Sequence, residues 1–94
     1  MKKLIKKLQF AHAAEIAAYH AYEGHWRSTT NIAEQNHLKK IQLDELKHIY
    51  TLERMLNNLY AEPNKFLDKC GKVIGELIGI ACFYSGWRLP ALVS

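Results

Sequence analysis

The sequence predicts an all-α domain: a long antiparallel helical hairpin followed by a third, apolar helix. Three observations predict it. Apolar residues recur at alternating steps of three and four along most of the chain, the spacing of long helices packed side by side. Breaks fall at two places inside the chain, "STTN" at 28–31 and Pro63. The chain has 49% hydrophobic and 11% aromatic residues, too many for a disordered tail, and its few glycines before residue 71 argue against a strand-rich fold.

The first helix is expected over 3–27, with Ile5, Leu8, His12, Glu15, Tyr19, Tyr22 and Trp26 on one seam. Asn31 and Glu34 are spaced as a capping box and open the second helix, 31–60. Its seam holds Leu38, Ile41, Glu45, His48, Leu52, Met55 and Leu59. Pro63 suits the first turn of a third helix over 64–88, with Phe66, Cys70, Val73, Leu77, Ile80, Tyr84 and Trp87 in line, and Pro90 closes it. Each helix is about 35–45 Å long. The 94 residues form one domain, 1–94, with no internal repeat or linker. Three such helices leave an open groove where a fourth belongs. The expected architecture is therefore a four-helix bundle completed by a second copy of the chain or by a missing C-terminal half.

The formal charge is +4, and Lys2, Lys3, Lys6 and Lys7 supply much of it. Lysines at a helix start oppose the helix dipole; a solvated terminus is the plain reading and attraction to an anionic lipid surface the sharper one. Basic and aromatic residues are not interleaved, so no nucleic-acid partner is expected. Cys70 and Cys82 are separated by about 18 Å of helical rise, too far to bridge, which suits a reducing compartment. Lys-rich residues followed by a polar amphipathic segment do not make a signal peptide. The expected location is cytoplasmic, with the inner face of the membrane as a peripheral alternative.

Glu45 and His48 occupy seam positions whose neighbours are leucine and isoleucine, and Glu15 does the same on the first helix. Glu15 and Glu45 are equidistant from residue 30, so an antiparallel hairpin brings them level. A buried carboxylate costs several kcal/mol unless paired, and no Lys or Arg shares these seams. A transition-metal ion resolves this: Glu and His at i, i+3 project from one face, and carboxylate-rich sites with few histidines suit iron or manganese. The alternative is a hydrogen-bonded polar layer that fixes helix register.

Single residues divide similarly. His12 is one turn before Glu15, as a partner of a ligand carboxylate or a core histidine. Tyr19 and Tyr22 read as core aromatics, with Tyr22 also placed to bond a ligand. His20 and His25 read as surface residues, Glu76 as solvent-exposed with a ligand role as the lesser reading, and Glu23 as at most a spare ligand. Gly71, Gly75 and Gly79 form a stripe that lets another backbone approach closely. The apolar run of the third helix is too short to span a membrane; close packing is the first reading and an interfacial position the second.

At these residues the sequence resembles the ferritin-like di-iron carboxylate proteins, in which two helices each supply a Glu and two others a Glu-x-x-His. More narrowly it is similar to the first half of the demethoxyubiquinone hydroxylase family. "HAAEIAAYHAYEG" carries a His-x-x-Glu followed by Tyr and Gly (His12, Glu15, Tyr22, Gly24). "DELKHIYTLERML" carries Glu-x-x-His, and "GKVIGELIGIACFYSGWRLPALVS" a Gly-rich apolar third helix. The resemblance implies that Glu15, Glu45 and His48 ligate iron, two ions per complete site. It further implies that the reduced centre uses O2 to hydroxylate a quinone ring in ubiquinone biosynthesis, with Leu77, Ile80 and Tyr84 lining the ring pocket. A second helix pair, with another Glu and Glu-x-x-His, is absent. The chain also resembles half-length encapsulated ferritins, which build a ferroxidase site between subunits. An oxygenase, an iron-oxidising oligomer and a non-catalytic oligomerisation module are the functions in play.

Overall fold

The computed structural model describes residues 1–85, which form three helices: α1 (Lys2–Ser28), α2 (Ile32–Asn58) and α3 (Lys65–Ser85). The all-α expectation holds. The end of the third helix, Trp87 on its seam and Pro90 beyond it lie outside the described residues.

Local chemistry sets the boundaries. The Asn31 side chain accepts the Glu34 N–H at 2.9 Å and caps α2, satisfying one of the orphan donors of a helix start. Asn64 caps α3 in the same way through the Leu67 N–H at 3.0 Å. Pro63 therefore stands just before the cap and not inside the first turn as expected, because asparagine supplies the acceptor that the helix start needs. At the other end of α2, Tyr60 takes a left-handed conformation, φ 55. Its N–H bonds the Asn57 carbonyl at 3.0 Å and the Ala61 N–H bonds Leu56 at 2.9 Å. This is a Schellman ending with tyrosine where glycine is usual.

α1 is the central helix. α2 runs antiparallel on one side of it; α3 runs parallel to it on another, and α2 and α3 do not pack on one another. The parallel course of α3 follows from its contacts: Gly71 meets Ala13, Gly75 meets Ala17, and Gly79 meets Gly24. A Cβ at position 79 would come within 2.9 Å of the Gly24 Cα, and one at 75 within 2.9 Å of the His20 Cβ. The glycine stripe thus acts as read from the sequence, bringing two backbones into direct contact.

That packing overturns the expected seam of α3. Phe66, Cys70, Val73, Leu77, Ile80 and Tyr84 are all exposed, whereas Gly71, Gly75, Gly79 and Cys82 face inward. Only the glycine face is flat enough for α1, so the larger apolar residues form a ridge on the far side. α2 is also rotated from expectation. Leu38, Gln42, Ile49 and Leu56 are its buried residues, while Met55 and His48 are exposed. A helix that packs on one neighbour buries one narrow stripe, and the rest of the expected seam stays open. The buried apolar core is correspondingly small: Leu8, Ala13, Leu38, Ile49, Leu56 and Cys82.

Candidate metal centre

Glu15 lies midway along α1, and Glu45 and His48 lie one turn apart midway along α2. The hairpin brings one ligand atom from each to within 4.8 Å of the others. His48 Nδ1 is 3.1 Å from Glu15 Oε2 and 3.9 Å from Glu45 Oε1. The convergence expected from the hairpin is present.

Its surroundings differ from expectation. Glu45 is mostly covered and Glu15 partly so, but the His48 side chain is 58% exposed. Glu15 is two residues from both Ala13 and Ala17, hence about 160° around α1 from the face that α3 occupies. The cluster therefore opens on the side of the hairpin opposite α3. Half-buried Ile41, Leu52 and Tyr22 share its helices, on the seams that run through the three residues. It is a half-open site, not an enclosed one.

The electrostatics are those of two carboxyl groups competing for one environment. Glu45 is pushed up to about 7, first by burial and then by its hydrogen bond to Glu15 and the charge of that neighbour; nearby His48 acts in the opposite direction. Like charges this close do not both ionise easily, and Glu45 keeps its proton to higher pH than an ordinary glutamate. Among the described residues neither carboxylate pairs with a lysine or arginine. A cation placed between them would replace that proton with a larger charge, and the His48 nitrogen would add an imidazole ligand. The donor set, two carboxylates and one imidazole, fits a borderline-hard transition ion such as iron or manganese.

His12 is not directed at this cluster. It is 2% exposed, and both its ring nitrogens are taken: Nε2 by Glu53 of α2 at 2.8 Å and Nδ1 by Asp68 of α3 at 2.9 Å. Glu53 and Asp68 were not distinguished by the sequence pattern, since neither carries a motif and α3 had no fixed orientation against α1. Tyr22 is half-buried two turns after Glu15.

Other expectations need revision. His25 is buried, not a surface residue, with its Nε2 3.9 Å from Glu34 Oε1 of α2. Burial lowers its pKa despite the nearby charge of Glu34. His20 is half-buried against Gly75, and Glu23 pairs with Arg27 at 3.6 Å. Leu77, Ile80 and Tyr84 do not adjoin the ligand cluster within one chain: they lie on the outer side of α3, which itself packs on the opposite face of α1. Trp26 donates to Gln42 at 2.7 Å and pins the two helices near the turn.

Comparisons with protein-family models, with characterised proteins and with solved structures return no match.

Proposed function

We propose that this chain is half of a ferritin-like carboxylate centre in which Glu15, Glu45 and His48 bind iron, with manganese as the substitute ion. The observation that carries the reading is the meeting of one ligand atom from each of these three side chains within 4.8 Å at mid-hairpin, with neither carboxylate paired to a lysine or arginine among the described residues. A second copy, docked by its own α1–α2 face, supplies the missing Glu and Glu-x-x-His and gives two ions between two chains. The open apolar face beside His48 is the surface such a copy would cover.

In the completed centre Glu15 and Glu45 would hold the ions through oxygen, His48 would add one nitrogen, and Glu45 would give up its proton to a bound cation. Iron held there would supply O2 activation, and the covered apolar face of the two hairpins would exclude water and receive the substrate. By the resemblance of "HAAEIAAYHAYEG" and "DELKHIYTLERML", the substrate class is a lipophilic quinone-type ring and the reaction its hydroxylation. The second reading, oxidation of ferrous iron at a shared site, is favoured by the exposure of His48, which leaves the half-site accessible to ions.

The test is anaerobic titration of the full chain with ferrous iron, followed by O2 with and without a demethoxyquinone. Near one iron per chain, a two-chain mass by light scattering and a hydroxylated product are expected. Iron oxidation without product transfers the function to iron handling. Absence of binding, or a single-chain mass with iron bound, overturns the two-chain centre.

A further inference from the structure

The His12 contacts join all three helices. α2 and α3 pack on α1 but not on each other, and the chain Glu53–His12–Asp68 crosses the cleft between them with bonds of 2.8 and 2.9 Å. Ionised carboxylates only accept hydrogen bonds, and a neutral imidazole has one donor and one acceptor nitrogen. Both bonds therefore form together on ionised partners only when the ring carries two protons. The cleft agrees with a cation at its base: Glu53 faces it from α2, Glu62 from the connecting loop, and Asp68 and Lys65 from α3. On α1 itself the nearest carboxylate, Glu15, is turned to His48.

We propose that doubly protonated His12 is a latch that fastens the first turn of α3 to the middle of the α1–α2 hairpin and releases that turn when the ring loses a proton. It is separate from the metal reading, since neither Glu53 nor Asp68 belongs to the Glu15 cluster. Asp68 is in the first turn of α3, where Asn64 caps the helix and the glycine contacts have just begun. Releasing it frees the beginning of α3 without undoing the stripe at Gly75 and Gly79.

Burial alone would drive the proton off His12, but the hydrogen bonds and charges of Asp68 and Glu53 outweigh it and hold the pKa above the ordinary histidine value. A raised histidine contributes its full stabilisation below the unfolded value of 6.5. The contribution is lost as pH rises through the higher folded value.

The experiment is residue-resolved NMR on the metal-free full chain. Side-chain nitrogen shifts report the His12 ring, and amide exchange at 66–71 is compared with that at 49–56 between pH 6 and pH 9. The ring is expected to be doubly protonated at pH 6 and to titrate above the ordinary histidine value of 6.5. Amide protection at 66–71 should fall by about tenfold for each unit by which the folded pKa exceeds the unfolded one; protection at 49–56 should not follow it. Asp68→Asn should lower protection at pH 6 and flatten its pH dependence. Glu53→Gln, which leaves α3 untouched, should lower the His12 pKa. A neutral His12 ring at pH 6, or protection at 66–71 that ignores the ring's titration, overturns the latch.

Discussion

Glu15 and Glu45 meet at mid-hairpin on facing helices, where burial first, and then the hydrogen bond and charge of Glu15, push the Glu45 carboxyl up to about 7. His48 approaches the same pair, with its Nδ1 3.1 Å from Glu15 Oε2. Among the described residues neither acid has a lysine or arginine partner, so under the proposed reading a cation would relieve their repulsion.

Replacing one of them should expose that trade. Glu45→Gln is expected to abolish tight iron binding and to leave helix content unchanged. At pH 8 it should stabilise the metal-free chain by about 1–2 kcal/mol, because a costly buried charge is gone. His48→Ala should weaken iron binding by at least about tenfold, as for loss of one ligand. His12→Ala should change affinity little while lowering stability. Calorimetric titration and thermal unfolding give both readings; full iron occupancy in Glu45→Gln would place the ions elsewhere.

The pH dependence follows from the same pair. A carboxyl raised from 4.5 to about 7 binds more protons folded than unfolded in that interval. The stability contribution of Glu45 to the metal-free chain therefore falls as pH rises from 4.5 toward 7, the reverse of a salt-bridged acid. Iron affinity should run the other way, rising with pH and flattening above about 7 as the Glu45 proton ceases to compete. Subtracting the profile of Glu45→Gln from that of wild type by denaturant titration isolates the stability effect; no difference between them would refute it.

Tyr60 offers an independent check on the hairpin's far end. Its φ of 55 places a Cβ in the left-handed region, which costs non-glycine residues roughly 1–2 kcal/mol. Its side chain is fully exposed, so little packing is lost on removal. Tyr60→Gly is expected to raise stability by about 0.5–1 kcal/mol after the entropy of a freer unfolded chain is subtracted. Destabilisation would mean that the Schellman ending is not formed.

Gly79 tests the opposite face of α1. A side chain there would meet the Gly24 backbone, which cannot swing aside. Gly79→Leu should cost about 1–3 kcal/mol by overpacking and loosen α3, seen as lost amide protection in 71–82. Leu77→Ala, on the outer ridge, should cost under about 1 kcal/mol in an unassembled chain. A larger loss at Leu77 would show that the ridge is covered in solution.

The amino-acid sequence by itself determined the three helices, the Asn31 cap and the meeting of Glu15, Glu45 and His48. These depend on local periodicity and on equal distances from one turn, which a helical hairpin converts directly into height. What it left open was which face of each helix would find a partner. α3 has two faces of low polarity, the glycine stripe and the Phe66–Tyr84 ridge, and periodicity describes both equally. Tertiary packing chose the stripe, since only there do two backbones come into contact. That choice turned the ridge outward, brought Asp68 to His12 and left the Glu15 cluster on the open side of the hairpin. The burial of His25 was likewise a tertiary outcome: it lies beside Glu34 of α2, and no pattern within α1 distinguishes it from exposed Arg27. Spacing along one helix specifies what shares a face, while the partner of that face depends on close-packed surfaces formed by the other helices.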